Sequence, residues 1–344
     1  MFFQKYKNSQ DSFIIAEVGQ NHQGDVSLAK EFVIKFAALG ADAVKFQVRD
    51  NRYLFDDASY EKGYDSANAF ASTYGAHREA LELSHDEMRD VRELCREHNV
   101  KFMCTPFDEP SLEYLLSIDT DILKVASFDL GNLSLLDKMA ASKLPIVMSI
   151  GGGKVAHIKA SIDIIEKHHT DIALLHCVSE YPCVPERLGL ANIPKLIKLF
   201  PDVLIGLSDH FSGILSGPVG YMKGARIFEK HVTMNRAWKG TDHSFALEPK
   251  GFESFVRDIR RVPIMNGQKP EAELGNEYVF QKLGKSLAAR INTEAGQVLT
   301  LDNIRGRIFK EPGISVRDSY MVLGKKLKSS VKAGDKITSE NLTD

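Results

Sequence analysis

Eight short apolar runs, each long enough for one buried strand, recur along the first two thirds of this 344-residue chain. They lie at residues 13–16, 43–48, 100–104, 122–126, 145–150, 172–177, 203–207 and 225–228. Segments with helical periodicity and charged faces separate them, among others at 27–39, 84–98, 156–168 and 189–200. Eight β/α units within about 260 residues are typical of an α/β protein with a (β/α)8 TIM barrel. A doubly wound open sheet is the alternative that this alternation leaves open.

Polar side chains close every one of the eight runs. In chain order they are Glu17, Gln20, Asn21 and His22; Lys45 and Gln47; Thr105; Lys124, Ser127 and Asp129; Ser149; His176, Ser179 and Tyr181; Ser208, Asp209 and His210; and Glu229, Lys230 and His231. Taken singly, each is also compatible with a surface side chain, a turn or a helix cap. However, burying a lysine at the end of an apolar strand costs free energy unless an anion or a carboxylate lies nearby. Because barrel strands meet at one mouth, the residues together predict one ring-shaped polar pocket.

The seventh and eighth runs each end in a histidine, His210 and His231. If the two strands are neighbours, the two imidazoles emerge at the same edge a few ångströms apart. Such a pair can bind a divalent metal ion, but two hydrogen-bonded core histidines fit the pattern as well, since a metal needs more ligands than these.

The charge balance gives no indication of a nucleic-acid or anionic-membrane partner, because 44 Lys and Arg stand against 46 Asp and Glu. No apolar run approaches the roughly 20 residues that span a bilayer, and the first residues lack the apolar core of a signal peptide. We therefore expect a cytoplasmic protein that acts on a small molecule. The cysteines, which show no CxxC pairing, are expected to be reduced core thiols.

Two loops are candidates for binding roles. The run Ser149-Ile-Gly-Gly-Gly-Lys154 lacks the GxxxxGK[ST] spacing of a phosphate loop, although a glycine-rich nest can still offer backbone N–H groups to an anion. The connection at residues 49–83 is unusually long, which is typical of a lid or a binding loop, but a surface excursion without a role is the alternative.

The pattern changes after the eighth unit. We assign residues 1–264 to the barrel, 265–281 to a polar linker and 282–344 to a small, mostly β domain. Within the last segment, residues 295–304 and 333–342 share the pattern A-G-x-x-[LI]-T-x-[DE]-N-[IL], which predicts two copies of one supersecondary unit. This segment carries 12 Lys or Arg and 7 Asp or Glu, a net charge of +5, so the rest of a chain with net charge −2 carries −7.

Eight motifs, in order, resemble those of the N-acetylneuraminate (sialic or nonulosonic acid) synthase family. They are Phe13-Ile-Ile-Ala-Glu-Val-Gly-Gln-Asn-His-Gln-Gly24, Ala43-Val-Lys-Phe-Gln47, Cys104-Thr-Pro-Phe107, Leu123-Lys-Val-Ala-Ser127, Leu175-His-Cys177, Tyr181-Pro182, Ile205-Gly-Leu-Ser-Asp-His210 and Glu229-Lys-His231. The resemblance implies a TIM barrel followed by an antifreeze-protein-like domain of the SAF (β-clip) type. It also implies a transferase that condenses phosphoenolpyruvate with an N-acylated amino sugar, such as N-acetylmannosamine or a diacetamido-trideoxyhexose, to a nine-carbon 2-keto acid and phosphate.

The resemblance also assigns roles to residues of this chain. It implies that His210 and His231 hold a divalent metal, most often Mn²⁺, with Mg²⁺ or Co²⁺ as other options, and that this metal acts as a Lewis acid on the sugar's carbonyl. It places Asp129 and Glu17 with the two histidines in catalysis. The implied phosphoenolpyruvate ligands are Lys45, Thr105, Lys124, Ser127, Ser149, Ser179 and Ser208, and the implied sugar ligands are Glu17, Gln47, Tyr181 and Asp242.

This chain departs from the family pattern at several positions. Phe128 stands where glycine is common, Ser179 where asparagine is common, and Asp129 where the carboxylate is often glutamate. The family's tail arginine, which reaches the sugar in the partner subunit's site, is replaced by Glu311, so that Arg305, Arg307 or Arg317 would have to substitute. A charge reversal beside the substrate indicates a sugar other than N-acetylmannosamine. A homodimer with exchanged tails is the implied assembly.

Two other functions remain open at this point. One is another phosphoenolpyruvate-dependent, aldol-type synthase that makes a seven- or eight-carbon keto acid, which the basic repeated tail does not favour. The other is a non-catalytic carbohydrate-binding or antifreeze-like protein, which the intact set of lysines, histidines and carboxylates does not favour.

Overall fold

The eight apolar runs form one closed barrel of parallel strands in the computed structural model, which describes residues 1–343. The strands are β1 Phe13–Gly19, β2 Ala43–Val48, β3 Lys101–Pro106, β4 Ile122–Val125, β5 Ile146–Ser149, β6 Ile172–Cys177, β7 Leu204–Asp209 and β8 Ile227–His231. Strand β8 pairs with β1 from Phe13 opposite Ile227 to Glu17 opposite His231, which closes the barrel. The predicted TIM barrel is confirmed, and the open sheet is wrong.

Four strands continue further than their apolar runs. Strands β1, β3, β7 and β8 reach Gly19, Pro106, Asp209 and His231, whereas the apolar runs end at residues 16, 104, 207 and 228. The backbone hydrogen bonds between strands continue into these polar ends. Side chains project from the two faces of a strand and not into its hydrogen-bonded edges, so a polar residue at the mouth does not disturb the strand pairing. The polar ends are therefore held by the barrel itself rather than by loops.

Helices surround the barrel and connect its strands. They are α1 Gln4–Lys7, α2 Val26–Ala38, α3 Asn51–Leu54, α4 Asp57–Tyr60, α5 Tyr74–Glu79, α6 His85–Glu97, α7 Glu109–Ser117, α8 Leu133–Ala141, α9 Val155–Glu166, α10 Ile193–Leu199, α11 Ser216–Met222, α12 Pro249–Met265 and α13 Tyr278–Leu283. Several of these helices begin at capping residues that are visible in the sequence. Asp25 caps α2, and Ser84 with Glu87 forms a capping box at α6.

The barrel interior is filled with side chains at the N-terminal end of the strands. An apolar cluster inside it includes Ile15, Met103 and Leu175, and the N-terminal segment adds Phe3 and Tyr6 to the same cluster. A second and larger core lies between the strands and the surrounding helices. Because the interior is packed at its N-terminal end, a ligand can enter only at the opposite mouth.

The long connection between β2 and β3 is folded. It carries α3, α4 and α5, and a bridge between Gly63 and Thr73 closes a loop within it. Tyr64 packs against Tyr74 and His77, with ring centroids 5.3 and 4.6 Å apart. This packing between side chains of the segment holds it in place. We call the segment, residues 49–83, the β2–β3 excursion.

Contacts divide the chain into two compact units, Met1–Asn266 and the part from Gly267 onward. The predicted linker at 265–281 belongs mostly to the second unit and contains the start of α13. The second unit has a small antiparallel sheet of β9 Ser286–Ala289 and β10 Ile304–Arg307. The mostly β character of the tail is therefore confirmed, whereas its SAF type stays a prediction.

The repeat within the second unit is a structural repeat. In each copy an asparagine side chain accepts a hydrogen bond from the threonine N–H three residues earlier, at 2.8 Å from Thr300 to Asn303 and at 2.9 Å from Thr338 to Asn341. Each copy also contributes two equivalent apolar side chains to the unit's core, Leu299 and Ile304 in the first copy and Ile337 and Leu342 in the second. The copies thus build one core from both sides.

None of the helices in residues 1–343 is long and apolar enough to cross a membrane. The four cysteines, Cys95, Cys104, Cys177 and Cys183, are buried and free in this part of the chain.

The turn after β1 gives a prediction about folding stability. His22 is buried against Phe46, and burial lowers the pKa of His22 from 6.5 to about 4. Below pH 6.5 the unfolded chain binds this proton and the folded chain does not, so stability is full above that pH and falls as the pH approaches 4. We expect a loss of about 3 kcal/mol, which the non-titrating variant His22→Gln does not show.

Urea unfolding followed by the fluorescence of Trp238, the single tryptophan, measures this effect in the barrel unit. The exposed His98→Gln variant is the control and should keep the pH dependence of the wild type. Equal pH dependence in the wild type and His22→Gln would contradict the prediction.

Candidate active site

One cavity of about 740 Å³ opens at the C-terminal mouth of the barrel. All but two of the residues predicted for the site line it, which confirms that the strand ends meet in one polar pocket. These residues are Glu17, Lys45, Gln47, Thr105, Lys124, Ser127, Ser149, Tyr181, Ser208, His210, His231 and Asp242.

Asp129 and Ser179 are the two that do not line the cavity. Asp129 lies in a 3-10 turn after β4, half-buried, and accepts a hydrogen bond from Asn132 at 3.1 Å. Ser179 is exposed, but its Oγ lies close to Gly151. A Cβ atom added to Gly151 would lie 2.4 Å from this oxygen. Ser179 therefore touches the glycine run at the edge of the pocket, and Asp129 stands further out.

Lys45 lies between two carboxylates at the centre of the mouth. Its Nζ is 2.8 Å from Glu17 Oε2 and 3.5 Å from Glu229 Oε2. Hydrogen bonds fix both carboxylates, since Ser208 Oγ donates to Glu229 at 2.9 Å and Gln47 Nε2 donates to Glu17 at 2.8 Å. The whole cluster is almost fully buried, so its charges interact without much screening by water.

The two glutamates differ in how easily they hold a proton. Burial raises the pKa of Glu17 above its usual value, despite the opposing effect of Lys45. Burial acts in the same direction on Glu229, but Lys124 and Lys45 outweigh it and hold the pKa of Glu229 at about 2. Because the carboxylates share one lysine, they titrate as a pair in which Glu229 stays ionised. Glu17 is therefore the better placed of the two to exchange a proton with a substrate hydroxyl.

Lys124 contacts a hydroxyl and a backbone carbonyl, those of Ser149 and Val125. Its Nζ donates to Ser149 Oγ at 2.7 Å, and burial lowers the pKa of Lys124 below its usual value. Just after β4, the strand of Lys124, Ser127 Oγ accepts a hydrogen bond at 3.0 Å from the N–H of Gly151, which follows β5. A buried lysine beside short hydroxyls and a glycine backbone is an arrangement that suits a small anion.

The histidine pair fits a metal ion. The rings of His210 and His231 are 5.4 Å apart, and His231 Nδ1 is buried without a hydrogen-bond partner in residues 1–343. Asp242 Oδ2 lies 3.8 Å from that nitrogen. His210 Nδ1 donates to the Val178 carbonyl at 2.7 Å, which orients the ring and leaves Nε2 available as a ligand. Since no three His, Cys, Asp or Glu residues in the described chain are placed to hold a metal alone, water or substrate would complete the coordination.

Five further polar residues at the strand ends do not line the cavity, namely Asn21, His22, His176, Asp209 and Lys230. Asp209 and Lys230 form an ion pair at 2.6 Å, and both side chains are fully buried. They lie on the outer face of β7 and β8 because strand side chains alternate, so Ser208 and His231 face the mouth and their neighbours do not. The inclusion of all five residues in the predicted polar pocket was wrong, and Asp209 and Lys230 are structural.

Sequence reasoning also missed several residues that line the cavity. Glu229 was noted at a strand end but given no role, and Arg49 follows β2 directly. The β2–β3 excursion supplies the largest group, which consists of Leu54, Phe55, Tyr64, Asn68, Tyr74, His77 and Arg78. Of the two readings of this connection, the binding loop is therefore the one that fits the cavity. A visible signal existed for Glu229 in the motif Glu229-Lys-His231, but none indicated which residues of the excursion face inward.

A closed TIM barrel whose mouth combines buried lysines, carboxylates, hydroxyls and a histidine pair defines a class of enzyme that acts on small anionic substrates. A model of the NeuB family matches residues 32–271. The chain belongs to the NeuB family of synthases, and it is an enzyme of the transferase type.

Relatives of known name agree with this assignment. Human N-acetylneuraminate-9-phosphate synthase is 35% identical over 329 residues, which are 95% of this chain and 92% of that protein. The N,N'-diacetyllegionaminic acid synthase of Legionella pneumophila is 31% identical over 344 residues, 97% of this chain and 96% of its own length. Among solved structures, N-acetylneuraminic acid (sialic acid) synthetase from Leptospira borgpetersenii in complex with citrate matches with a TM-score of 0.69 and 31% identity, covering 79% of this chain and 92% of that chain.

Proposed function

We propose that the protein condenses phosphoenolpyruvate with an N-acylated amino sugar to form a nine-carbon 2-keto acid and inorganic phosphate. In this reaction C3 of phosphoenolpyruvate forms a bond with the aldehyde carbon of the open-chain sugar. Water adds to C2, and the C2–O bond to the phosphate breaks, so the bridging oxygen leaves with the phosphate. The names of the relatives, which include sialic and legionaminic acid synthases, support this class of product.

The observation that carries the proposal is the buried Lys124 and the hydroxyls beside it in the mouth. Phosphoenolpyruvate brings a phosphate and a carboxylate, and Lys124 with the hydroxyls of Ser127 and Ser149 offers a cation and neutral donors for one of them. Lys45 is already neutralised by two glutamates, so it serves mainly to hold those carboxylates in place. Donors fixed before the reaction need no reorganisation when charge moves, which is how such a site accelerates it.

The sugar would lie against the carboxylate side of the pocket. Glu17, Gln47 and Asp242 present hydrogen-bond acceptors and donors to hydroxyls, and Tyr181, whose ring packs 4.1 Å from that of His210, forms a wall. Glu17 would accept or return a proton at a sugar oxygen. When bound by His210 and His231, a divalent metal such as Mn²⁺ would supply Lewis acidity at the aldehyde carbonyl. Asp129 and Ser179, outside the cavity lining, are proposed to act only through the loops that carry them.

The metal gives a direct prediction. His210→Ala and His231→Ala should each weaken Mn²⁺ binding at least about tenfold, because each removes one of only two imidazole ligands. Electron paramagnetic resonance of free Mn²⁺ measures this without reference to activity. His98→Ala, at an exposed position, is the control. Equal Mn²⁺ affinity in all four proteins would place the metal elsewhere.

Phosphate release from phosphoenolpyruvate with a panel of acceptors tests the function itself. N-acylated hexosamines and diacetamido-trideoxyhexoses should support release in the presence of Mn²⁺, whereas pentose and tetrose phosphates should not. Activity with the short sugar phosphates instead would establish a seven- or eight-carbon synthase. Binding of sugars without release of phosphate by the folded protein would leave only a carbohydrate-binding role.

We further propose a cytoplasmic homodimer with exchanged tails. The opposite net charges, +5 for residues 282–344 and −7 for the rest, support electrostatic association of two subunits. Glu311, Arg305 and Arg317 are exposed in the second unit, so they are available to a partner subunit. The four free, buried cysteines support a reducing compartment. Equilibrium sedimentation that gives a monomer would overturn the dimer.

A further inference from the structure

A row of hydrogen bonds connects Glu17 with a second carboxylate, that of Glu82. Gln47 Nε2 donates to Glu17 Oε1 at 2.8 Å, and Arg49 Nη2 donates to Gln47 Oε1 at 2.5 Å. On the other side of the guanidinium group, Arg49 Nη1 donates to Glu82 Oε1 at 3.2 Å. Glu82 lies at the end of the β2–β3 excursion and does not line the cavity. The row therefore leads from a carboxylate inside the cavity to one behind its wall.

The chemistry of the donors decides how the amide group of Gln47 is turned. A guanidinium group carries N–H donors and no acceptor, so Arg49 can hydrogen-bond only with the amide oxygen of Gln47. The amide nitrogen of Gln47 then points to Glu17, whose carboxylate accepts its hydrogen bond. Turned over, the same amide would place its oxygen against the carboxylate of Glu17, and neither oxygen could donate. Arg49 therefore makes Gln47 a donor to Glu17.

Glu82 in turn holds Arg49. The side chain of Arg49 is almost fully buried, its guanidinium carbon lies 3.9 Å from the ring centroid of Phe107, and Glu82 is the one carboxylate within 4.0 Å of it in residues 1–343. Glu82 also accepts from the Arg49 backbone N–H at 3.3 Å and from Gln20 Nε2 at 2.9 Å. Because an unpaired buried charge is costly, an arginine that loses this partner moves toward water or another acceptor. The position of the Arg49 guanidinium thus depends on Glu82.

Protein donors fix both oxygens of the Glu17 carboxylate. Oε1 accepts from Gln47, and Oε2 lies 2.8 Å from Lys45 Nζ. We propose that Glu82 is a positioning residue for Glu17, which acts through Arg49 and the amide group of Gln47. This inference rests on the proposed function, in which Glu17 exchanges a proton with a sugar oxygen. Without the hydrogen bond from Gln47, the carboxylate can rotate about its contact with Lys45 and is less often in the orientation that proton transfer needs.

A double-mutant cycle tests whether Glu82 acts through Gln47. Glu82→Gln keeps the size of the side chain, but it removes the charge and leaves one oxygen for three N–H donors. We expect kcat to fall about 10- to 100-fold, while KM for phosphoenolpyruvate stays within about twofold because Lys124 and Ser149 lie on β4 and β5. In a Gln47→Leu background, where the donor to Glu17 is already lost, Glu82→Gln should lower kcat less than about threefold.

Equal factors in the two backgrounds would overturn the proposal. If Glu82 served only to stabilise the excursion, its replacement would lower kcat by the same factor with or without Gln47. If Glu82→Gln does not fold, Glu82→Asp, which keeps the charge and is one carbon shorter, takes its place in the same cycle with the same two outcomes.

Glu79→Gln is the matched control. The side chain of Glu79 belongs to the same excursion, is 48% exposed and pairs outside the cavity with Arg52, which is 62% exposed. Its replacement should leave kcat within about twofold of the wild type. A loss as large as that of Glu82→Gln would assign the effect to the excursion as a whole and overturn the role of Glu82.

Failure of the proposed function is distinguishable from failure of this inference. If the wild type releases no phosphate with any acceptor, the nuclear magnetic resonance signal of the Gln47 side-chain amide still tests the row. This signal is assigned by its absence in Gln47→Leu. A change of its chemical shift in Glu82→Gln and not in Glu79→Gln would support the positioning role. An unchanged signal in Glu82→Gln, or an equal change in both variants, would refute it.

Discussion

Replacing Lys124 with methionine is expected to lower kcat/KM for phosphoenolpyruvate by about two to three orders of magnitude. Lys124 is 2% exposed, contacts Ser149 and has no carboxylate within 4.0 Å in residues 1–343, so an anionic ligand can contact its ammonium group directly. Methionine keeps most of the side-chain length and removes the charge. Because the lysine is fixed before the substrate arrives, its loss affects both binding and the step in which charge moves.

Lys154→Met is the control for this experiment. Lys154 lies at the end of the adjacent glycine run but is exposed, so its removal should change kcat/KM by less than about threefold. Trp238 fluorescence checks that Lys124→Met remains folded, because removing this cation leaves Lys45 as the lysine that opposes the buried charge of Glu229. Equal losses in the two variants would mean that the pocket attracts the substrate by its general field and not through Lys124.

The barrel and its mouth could be predicted because both follow from strong local patterns. Apolar runs mark buried strands wherever they lie, and parallel connection brings their carboxyl ends together. Lys45, Lys124, His210 and His231 could be placed in one pocket without knowing any contact between them. Because side chains alternate along a strand, the sequence could also have assigned Ser208 and Asp209 to opposite faces of β7. That assignment requires knowing that the strand continues past Leu207.

The β2–β3 excursion could not be predicted in the same way. Its fold depends on contacts between side chains such as Tyr64, Tyr74 and His77, which are distant from the strands in sequence and have no simple period. The inward position of Arg78 follows from this packing, and nothing near Arg78 in the sequence distinguishes it from the exposed Arg52. The residues that we expect to select the sugar are therefore those that the sequence places least well.

Replacing Lys230 with methionine is expected to destabilise the barrel unit by about 3–5 kcal/mol. The ion pair of Lys230 and Asp209 is fully buried, and Asp209 also accepts hydrogen bonds from Phe211 N–H at 2.9 Å and from Ser216 Oγ. Without the lysine, the carboxylate of Asp209 remains buried with no positive partner. Urea unfolding followed by Trp238 fluorescence measures the free energy of unfolding of this unit.

Two further variants separate the cost of the orphaned charge from the loss of packing. Asp209→Asn combined with Lys230→Met should be more stable than Lys230→Met alone, because asparagine is neutral. Its Oδ1 can still accept from Phe211 N–H, and its Nδ2 can donate to Ser216 Oγ. Lys101→Met breaks an exposed pair with Asp121 of similar length, 2.7 Å, and should cost no more than about 1 kcal/mol. If the double variant is as unstable as the single one, packing and not charge explains the loss. The pair would then stabilise the strands that carry His210 and His231 by its shape rather than by its charge.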